Sequence, residues 1–504
     1  MGTFFKYFAI ASFVALFSII FQAYHESGSL QNITFQLQAL VQLESNHNII
    51  SKDDKPRVVV AYGSCSDLTV RAVDVLNYTG NLKDFQVRDE SDDEIHTFED
   101  FMRSFMYYFS KGAAAERYTP NKELFRNIVA IAKKHSSHRW DLGGNAPVMG
   151  KRFHLEGAQV LIASTMSVKQ RTHLDKGIDV VDFIPSEDFV DDIHLIFEYK
   201  TGDKFGDHLA PRANRYIIHN DENNPMITSL ELLNVNKYNP KLFVVSGLQM
   251  LDNFPFKSPS VRKERLQGVK KQMTESHPDT LIHFEMASFV EIELMTDLLE
   301  NVIPYADSLG MNEQEVDNLM HVLETGKISL SADSNPRVAT TLDQMRKVFK
   351  ILNRSYYEHR KNDVKLRMIS RIHIHTLAFQ LMMNVKASNW KNIKNAAAKS
   401  SLTAHRHVCQ TSYVNPENTI LVLDDSFATS AETPAQNTDK DMRPKRIEIK
   451  LGDPVPCWNE TISVDEIHSV DVEICLSPVL VCREARKTVG AGDNISAAGL
   501  ILQI

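Results

Sequence analysis

Short apolar runs recur along the chain, separated by stretches in which apolar and polar positions alternate with a helical period. The first run, Arg57 to Tyr62, is rich in β-branched residues and stops at Gly63. Similar runs follow at Val160 to Ala163, His194 to Tyr199, Leu242 to Ser246, Leu281 to Glu285, Ile372 to Leu377, Ile420 to Val422 and Val479 to Cys482. Between several of them lie amphipathic segments such as Glu264 to Met273 and Glu291 to Asn301, so the pattern predicts strands alternating with helices. That alternation implies a largely parallel sheet sandwiched by helices, with ligands off the carboxyl ends of the strands. The polar stretches Asp89 to Asp100, Ser329 to Arg337 and Ser426 to Lys445 read as solvated surface loops, and no internal repeat is visible.

The first 24 residues break this pattern: after Lys6, the run Tyr7 to Phe21 has no formal charge and no amide side chain. Its length suits the apolar core of a signal peptide better than a full membrane span, which needs about 20 residues. Residues 1–24 are therefore expected to be a signal peptide or, because Phe21-Gln22-Ala23 is not a clean small-x-small cleavage site, an uncleaved signal anchor. This points to the secretory pathway, either the endoplasmic reticulum lumen or secretion. Membrane attachment would come only through this segment. Residues 25–55 are polar and read as a partly helical spacer.

With 504 residues, 43% apolar and 24% charged, the chain has globular composition and length for about two to four domain-sized units. A net charge of −8, with no basic stripe carrying interleaved aromatics, argues against nucleic acid as a partner. The five cysteines, Cys65, Cys409, Cys457, Cys475 and Cys482, have no zinc-like spacing. In an oxidising lumen one or two disulfides are allowed, with Cys475 paired to Cys482 or Cys457, and the odd thiol stays free or pairs with another chain. Asn32, Asn77, Asn353 and Asn459 begin glycosylation sequons, which agrees with a secretory route; Asn494 also begins one, inside the turn discussed next.

That turn carries the chemistry. Pro478 to Cys482 is apolar, Gly490-Ala491-Gly492-Asp493 follows, and Ile495 to Leu500 reads as a helix. A Gly-x-Gly turn opening a helix lets backbone N–H groups and the helix N-terminus meet a phosphate, and Asp493 can take a proton from an attacking hydroxyl. Two further acids follow strand-like runs or open helices: Glu285 at the end of Leu281 to Glu285, and Glu315 in the segment Gly310 to Glu315, which reads as a helix start. Phosphoryl transfer needs carboxylates that hold Mg²⁺ directly or through waters. Taken singly, Glu285 also reads as a solvated strand end and Glu315 as an N-cap partner.

Asn312-x-x-Glu315 with Gly490-Ala491-Gly492-Asp493 resembles the paired signatures of ribokinase-like sugar kinases. The remaining blocks resemble the ADP-dependent glucokinase family in its animal form: Gly112 to Arg117, Gly143-Gly144-Asn145-Ala146, Ala213 to Ile217, Ser246 to Met250, His283 to Ser288, Leu309 to Glu315, Arg371 to Leu377 and Pro478 to Asp493. The resemblance implies an α/β fold: a three-layer domain with a mostly parallel central sheet, and a smaller discontinuous α/β lid domain. Residues 56–504 would form the catalytic region, with the lid drawn from segments within about 80–240. It implies a monomer that transfers the β-phosphoryl group of ADP to D-glucose, giving glucose 6-phosphate and AMP, with Mg²⁺.

The resemblance assigns the catalytic base to Asp493, an anion hole to Gly490, Ala491 and Gly492, and the metal to Glu285, Glu315 and Asp493. It assigns sugar contacts to Asp67, Glu116, Gly144 and Asn145, and nucleotide contacts to Arg215 and His375. Glu116 would favour glucose by repelling a phosphorylated sugar. The run Gly63-Ser64-Cys65-Ser66-Asp67 departs from the family's Asn-x-x-x-Asp, with Gly at the Asn position. One hydrogen bond to sugar, worth about 1 kcal/mol, would be lost. Rival readings are a related kinase using fructose 6-phosphate or ATP, or a lumenal sugar- or nucleotide-binding protein without catalysis.

Overall fold

Val58, Val59 and Val60 are β-branched and wholly buried, and they pair in parallel with Leu242 to Val244 on one side and Val160 to Ile162 on the other. A strand apolar on both faces needs cover on both, and the helices supply it. This computed structural model describes residues 29–45, 55–76, 95–181, 189–329, 336–432 and 444–504. The expected leader at 1–24, the sequon at Asn77 and parts of the three polar stretches lie outside the described residues. Among the described residues no helix is long and apolar enough to cross a membrane.

The central sheet has ten strands. From one edge it runs Ile178–Val180, Gln159–Ala163, Arg57–Ala61, Leu242–Val245, Leu281–Glu285, Ser308–Asn312 and Arg371–His375, all parallel. Phe379–Val385, Ser469–Pro478 and Cys457–Ser463 then complete it antiparallel. On one face, Leu266, Leu294, Val316 and Leu342 of four helices join the strands in a single core; on the other, Met149, Ala397 and Ala497 of three helices do the same. The parallel register brings the carboxyl ends of neighbouring strands level, with Glu285 opposite Gly310 and Asn312 opposite His375.

A second, five-stranded sheet has the order Ala115–Tyr118, Asn214–His219, Ile193–Tyr199, Cys65–Arg71, Arg139–Gly143. It takes in a strand at 65–71, earlier in the chain than the expected lid region of about 80–240. Strand alternation divides its side chains. Leu195, Phe197, Tyr199, Tyr216 and Ile218 pack against Phe101, Phe105 and Phe109 of the helix Phe98–Lys111. His194, Ile196, Glu198, Arg215 and Ile217 therefore project from the opposite face, toward the central sheet.

Several expectations need correcting. Residues 29–45 are helical, in line with the partly helical reading of 25–55, but they are packed on the fold: Ile33 and Leu40 enter the core, and Glu44 pairs with Arg406 at 2.7 Å and Lys399 at 3.4 Å. The stretch Asp89 to Asp100 ends in a helix rather than a loop, because Thr97 and Asp100 form a reciprocal cap that starts Phe98–Lys111. Ser426–Ala428 is a short strand inside another expected loop. Thr419–Leu421 and Leu480–Cys482 pair only with each other, outside the central sheet. Gly310 to Asn312 end a strand, and the helix begins at Glu313.

The disulfides join Cys457 to Cys475 and Cys409 to Cys482, leaving Cys65 buried as a free thiol. The pairing of Cys475 with Cys457 is one of the two expected. At the Asn353 sequon the amide is fully buried and bonds both Ile369 O and Ile369 N, so it cannot carry a glycan.

Candidate active site

Two adjoining cavities open where the carboxyl ends of the central strands face the smaller sheet. The larger, about 860 Å³, takes in Glu285, Asn312, Glu315, His375, Arg215 and Asp493, and extends to an apolar end at Ile420, Val422, Val479 and Val481. The smaller, about 310 Å³, is polar and takes in Asp67, Glu116, Gly144, His194 and Lys487. Glu116, Asn145, Arg215, Gln249, Gly490 and Asp493 border both. Every residue expected at the site lines one cavity or the other, and five of them stand on the shared boundary.

Gly490 adopts φ +69° and starts the helix Ala491–Ile501 with no side-chain cap, so the first N–H groups of the helix face the cleft. Gly492 is needed for a second reason: a Cβ there would lie 2.9 Å from Cε1 of His375. Asn145 donates to Asp493 Oδ1 at 2.9 Å, and Gln249 donates to Asn145 Oδ1 at 2.9 Å, a chain that fixes the Asp493 carboxyl from the neighbouring helix. Burial and the nearby Glu285 charge push that carboxyl up to about 7, against the opposing pull of the Asn145 bond, His375 and Arg215.

Glu285 has the opposite environment. Burial would raise its pKa, but His283 at 2.8 Å and His375 at 3.2 Å outweigh it and hold the carboxylate well below the usual range; Ser496 also donates at 2.5 Å. Gly310 leaves room for it, since a Cβ at that position would sit 2.2 Å from Glu285 Oε2. Glu285 in turn raises the pKa of His375 despite its burial. Glu315 forms a capping box with Asn312, accepting from Asn312 N and Nδ2 at 2.8 Å each, and burial pushes its carboxyl up to about 7. The N-cap reading of Glu315 and its position in the cleft therefore hold together. Carboxylate oxygens are the hard donors that suit Mg²⁺, and two acids raised by their surroundings mark negative charge short of a cation. With the oxygens of Glu285 and Glu315 already accepting bonds, these residues fit a cation held largely through waters.

In the smaller cavity Asp67 lies against Gly143, where a Cβ would come within 1.9 Å of its carboxyl oxygen. Burial pushes Asp67 up to about 6, partly offset by His194. Glu116 approaches His194 Nδ1 at 3.4 Å, and Asp221 accepts on the other side of the ring at 3.1 Å. Burial would lower the His194 pKa, but Asp221, Glu116 and Asp67 outweigh it and raise it to about 10, leaving an imidazolium between carboxylates. Gly63 has φ +73°, and a Cβ at Gly144 would strike Gly63 O at 2.6 Å, so the two segments pass in contact beneath the cavity.

Sequence reasoning does not single out Gln249, His194, His283, Lys487 or Ser496. Ser496 is within its reach, since it stands three residues after Asp493 and hence on the same helix face. His194 and Glu198 share one face of an alternating strand, but nothing in the strand itself says which face meets a ligand.

The family whose conserved region matches residues 56–502 is the ADP-specific Phosphofructokinase/Glucokinase. An "ADP-dependent glucokinase" of Bos taurus is 31% identical over 451 residues, covering 88% of this chain and 84% of the relative. A "Probable ADP-dependent glucokinase" of Caenorhabditis elegans is 27% identical over 458 residues, with coverage of 88% and 84%. A solved structure described as an ADP-dependent kinase complex with fructose-6-phosphate and ADPβS aligns over 93% of this chain and 97% of its own, with TM-score 0.58 and 16% identity, and so shares the fold. The doubly covered sheet, the separate five-stranded sheet above its strand ends and these matches agree: the chain belongs to the ADP-specific phosphofructokinase/glucokinase family.

Proposed function

We propose that the protein is an ADP-dependent glucokinase, transferring the β-phosphoryl group of ADP to the 6-hydroxyl of D-glucose and releasing glucose 6-phosphate and AMP. The observation that supports this most is the position of Asp493 on the border of a small polar cavity and a large one with an apolar end. A sugar hydroxyl presented from the first and a phosphate presented from the second meet at one carboxylate. Asp493, steadied by Asn145, accepts the hydroxyl proton. The N–H groups of Gly490, Ala491 and Gly492 stabilise the charge that develops on the phosphoryl oxygens. Arg215, whose Nε is buried without a hydrogen-bond partner among the described residues, suits a phosphate reached from the smaller sheet. His375 and the apolar end at Val479 and Val481 serve the nucleotide side.

Mg²⁺ when bound neutralises phosphate charge; Glu285, Glu315 and Asp493 are the residues that would hold it. Asp67, Glu116, Gly144 and Asn145 hold the sugar hydroxyls, and Glu116 disfavours a sugar already phosphorylated. The protein acts as a monomer at the entry step of glycolysis. Two disulfides support an oxidising compartment, and with the apolar leader they favour the endoplasmic reticulum lumen or secretion.

The test is AMP production by the purified full chain with Mg²⁺, comparing ADP with ATP and glucose with fructose 6-phosphate. AMP formed from ADP only when glucose is present supports the reading. A preference for ATP or fructose 6-phosphate replaces it with a related kinase, and no turnover with any pair indicates a binding protein.

A further inference from the structure

The segment that leads into the phosphate turn is held from across the cleft, by side chains of the smaller sheet. Three consecutive residues ahead of Gly490 make the contact. Lys487 Nζ lies 3.2 Å from Asp141 Oδ2 on the strand Arg139–Gly143. Thr488 donates both its backbone N–H, at 2.9 Å, and its hydroxyl, at 3.1 Å, to Glu198 Oε1. Val489 packs against Ile196 and Ile217. The other Glu198 oxygen accepts from Arg139 at 2.5 Å, so the carboxylate is anchored within its own sheet before it grips the loop. From the large domain, His407 Nε2 is 2.8 Å from Val489 O, and burial pushes the His407 pKa down to about 4, which leaves a neutral ring able to donate there.

The segment that presents the first N–H donors of the turn is therefore clamped on both sides. His407 fixes it to the large domain whatever the smaller sheet does. Glu198 can fix it only while the smaller sheet lies over the cleft. Glu198 borders neither cavity, so it acts on turnover only indirectly, through Thr488 and through Arg139, which reaches Asp141 on the border of the smaller cavity at 3.7 Å.

We propose that Glu198 and Thr488 are positioning residues that latch the phosphate turn to the smaller sheet, bringing the Gly490 to Gly492 N–H groups into line only when that sheet closes on the sugar. The inference rests on the phosphoryl-transfer reading above and goes beyond it, in joining closure over one substrate to completion of the anion site for the other. Such an arrangement lets ADP bind without being spent on water, because the donors that stabilise the transition state are not aligned until the acceptor is enclosed.

Glu198→Ala removes the acceptor and Thr488→Val removes one of its two donors while keeping shape; Glu198→Gln keeps an oxygen facing Thr488 and serves as the conservative rescue. In the full chain, kcat should fall about 10- to 100-fold for Glu198→Ala and less for Thr488→Val, with Glu198→Gln in between. The double variant Glu198→Ala/Thr488→Val should be no slower than Glu198→Ala. The dissociation constant for glucose, measured by equilibrium binding without nucleotide, should rise in Glu198→Ala, since a contact made only when the sheet closes on the sugar adds to glucose affinity. Independently of turnover, hydrogen exchange at the amides of 488–492 should quicken in Glu198→Ala. An unchanged kcat, or an unchanged exchange rate at those amides, overturns the latch. If wild-type protein makes no AMP, the kinase reading fails, and the exchange measurement alone still decides whether Glu198 holds the turn.

Discussion

Replacing Asp493 by Asn should separate turnover from stability in opposite directions. The two side chains are nearly isosteric, and the carboxamide oxygen that replaces Oδ1 can still accept the bond from Asn145 Nδ2, so the Gln249–Asn145 chain survives. Losing a positioned general base costs about 10²- to 10⁴-fold in kcat, or about 3 to 5 kcal/mol of transition-state stabilisation. The fold should gain. A carboxyl raised from its ordinary 3.8 to about 7 by burial and by Glu285 binds its proton more tightly when folded than when unfolded. Its contribution is favourable below the unfolded value and is lost as pH rises from there through 7. Above pH 7 the ionised Asp493 costs the fold up to ~4 kcal/mol, less whatever the open cleft returns through water. The assay pairs denaturant unfolding of ligand-free protein at pH 5 and pH 8 with steady-state kinetics. Asp493→Asn should be more stable than wild type by up to ~4 kcal/mol at pH 8 and by no more than ~2 kcal/mol at pH 5, with kcat down by at least about 10². Wild-type turnover in the variant, or a stability difference that does not grow with pH, would refute the reasoning.

Gly310→Ala places a methyl group 2.2 Å from Glu285 Oε2 and 2.9 Å from His283, so unfolding free energy should drop by about 2 kcal/mol and activity should fall with it. Glu116→Ala should raise the KM for glucose about 10- to 100-fold while easing entry of fructose 6-phosphate, read from competitive inhibition by that sugar. Glu44→Gln leaves Arg406 without its carboxylate, while Lys399 keeps Glu156 at 2.8 Å, and should destabilise by about 2 kcal/mol at pH 7, measured by denaturant unfolding. Burial would raise the Glu44 pKa, but Arg406 and Lys399 lower it overall, so the difference from wild type should shrink as pH falls below the ordinary glutamate value of 4.5.

The central sheet is legible in the sequence because strands covered on both faces have almost no polar residues: Val58 to Ala61 and Leu242 to Val245 could hardly be anything else. Glu285 and Asn312-x-x-Glu315 are legible because strand ends and helix starts carry fixed residue types. The same logic misleads at Val479 to Cys482, whose apolar character says that it is a strand but not that its partner is Thr419–Leu421. Residues 29–45 look polar in composition, and only the helical spacing of Ile33 and Leu40 betrays a buried seam. Phe98–Lys111 hides behind its acidic cap. Disulfide pairing depends on the fold bringing Cys409 to Cys482 over 73 residues, which no spacing rule contains.

On the proposed reading, the three carboxylates of the cleft would suit a charged diphosphate and a cation together rather than either alone. Glu285 is held ionised by two histidines and Ser496, while Glu315 and Asp493 are each pushed up to about 7. At neutral pH the ligand-free cleft therefore retains part of two protons among three acids, a less costly arrangement than three buried charges. Those protons must leave when Glu315 and Asp493 face a dication, because positive charge beside a carboxylate lowers its pKa. Binding of ADP with Mg²⁺ at pH 7 should thus release protons, seen as a dependence of the calorimetric binding enthalpy on the ionisation enthalpy of the buffer. At pH 9, where both acids are already ionised, this release should vanish. Equal release at the two pH values would mean that Glu315 and Asp493 do not share the cation, and that the cleft's charge is balanced by the histidines alone.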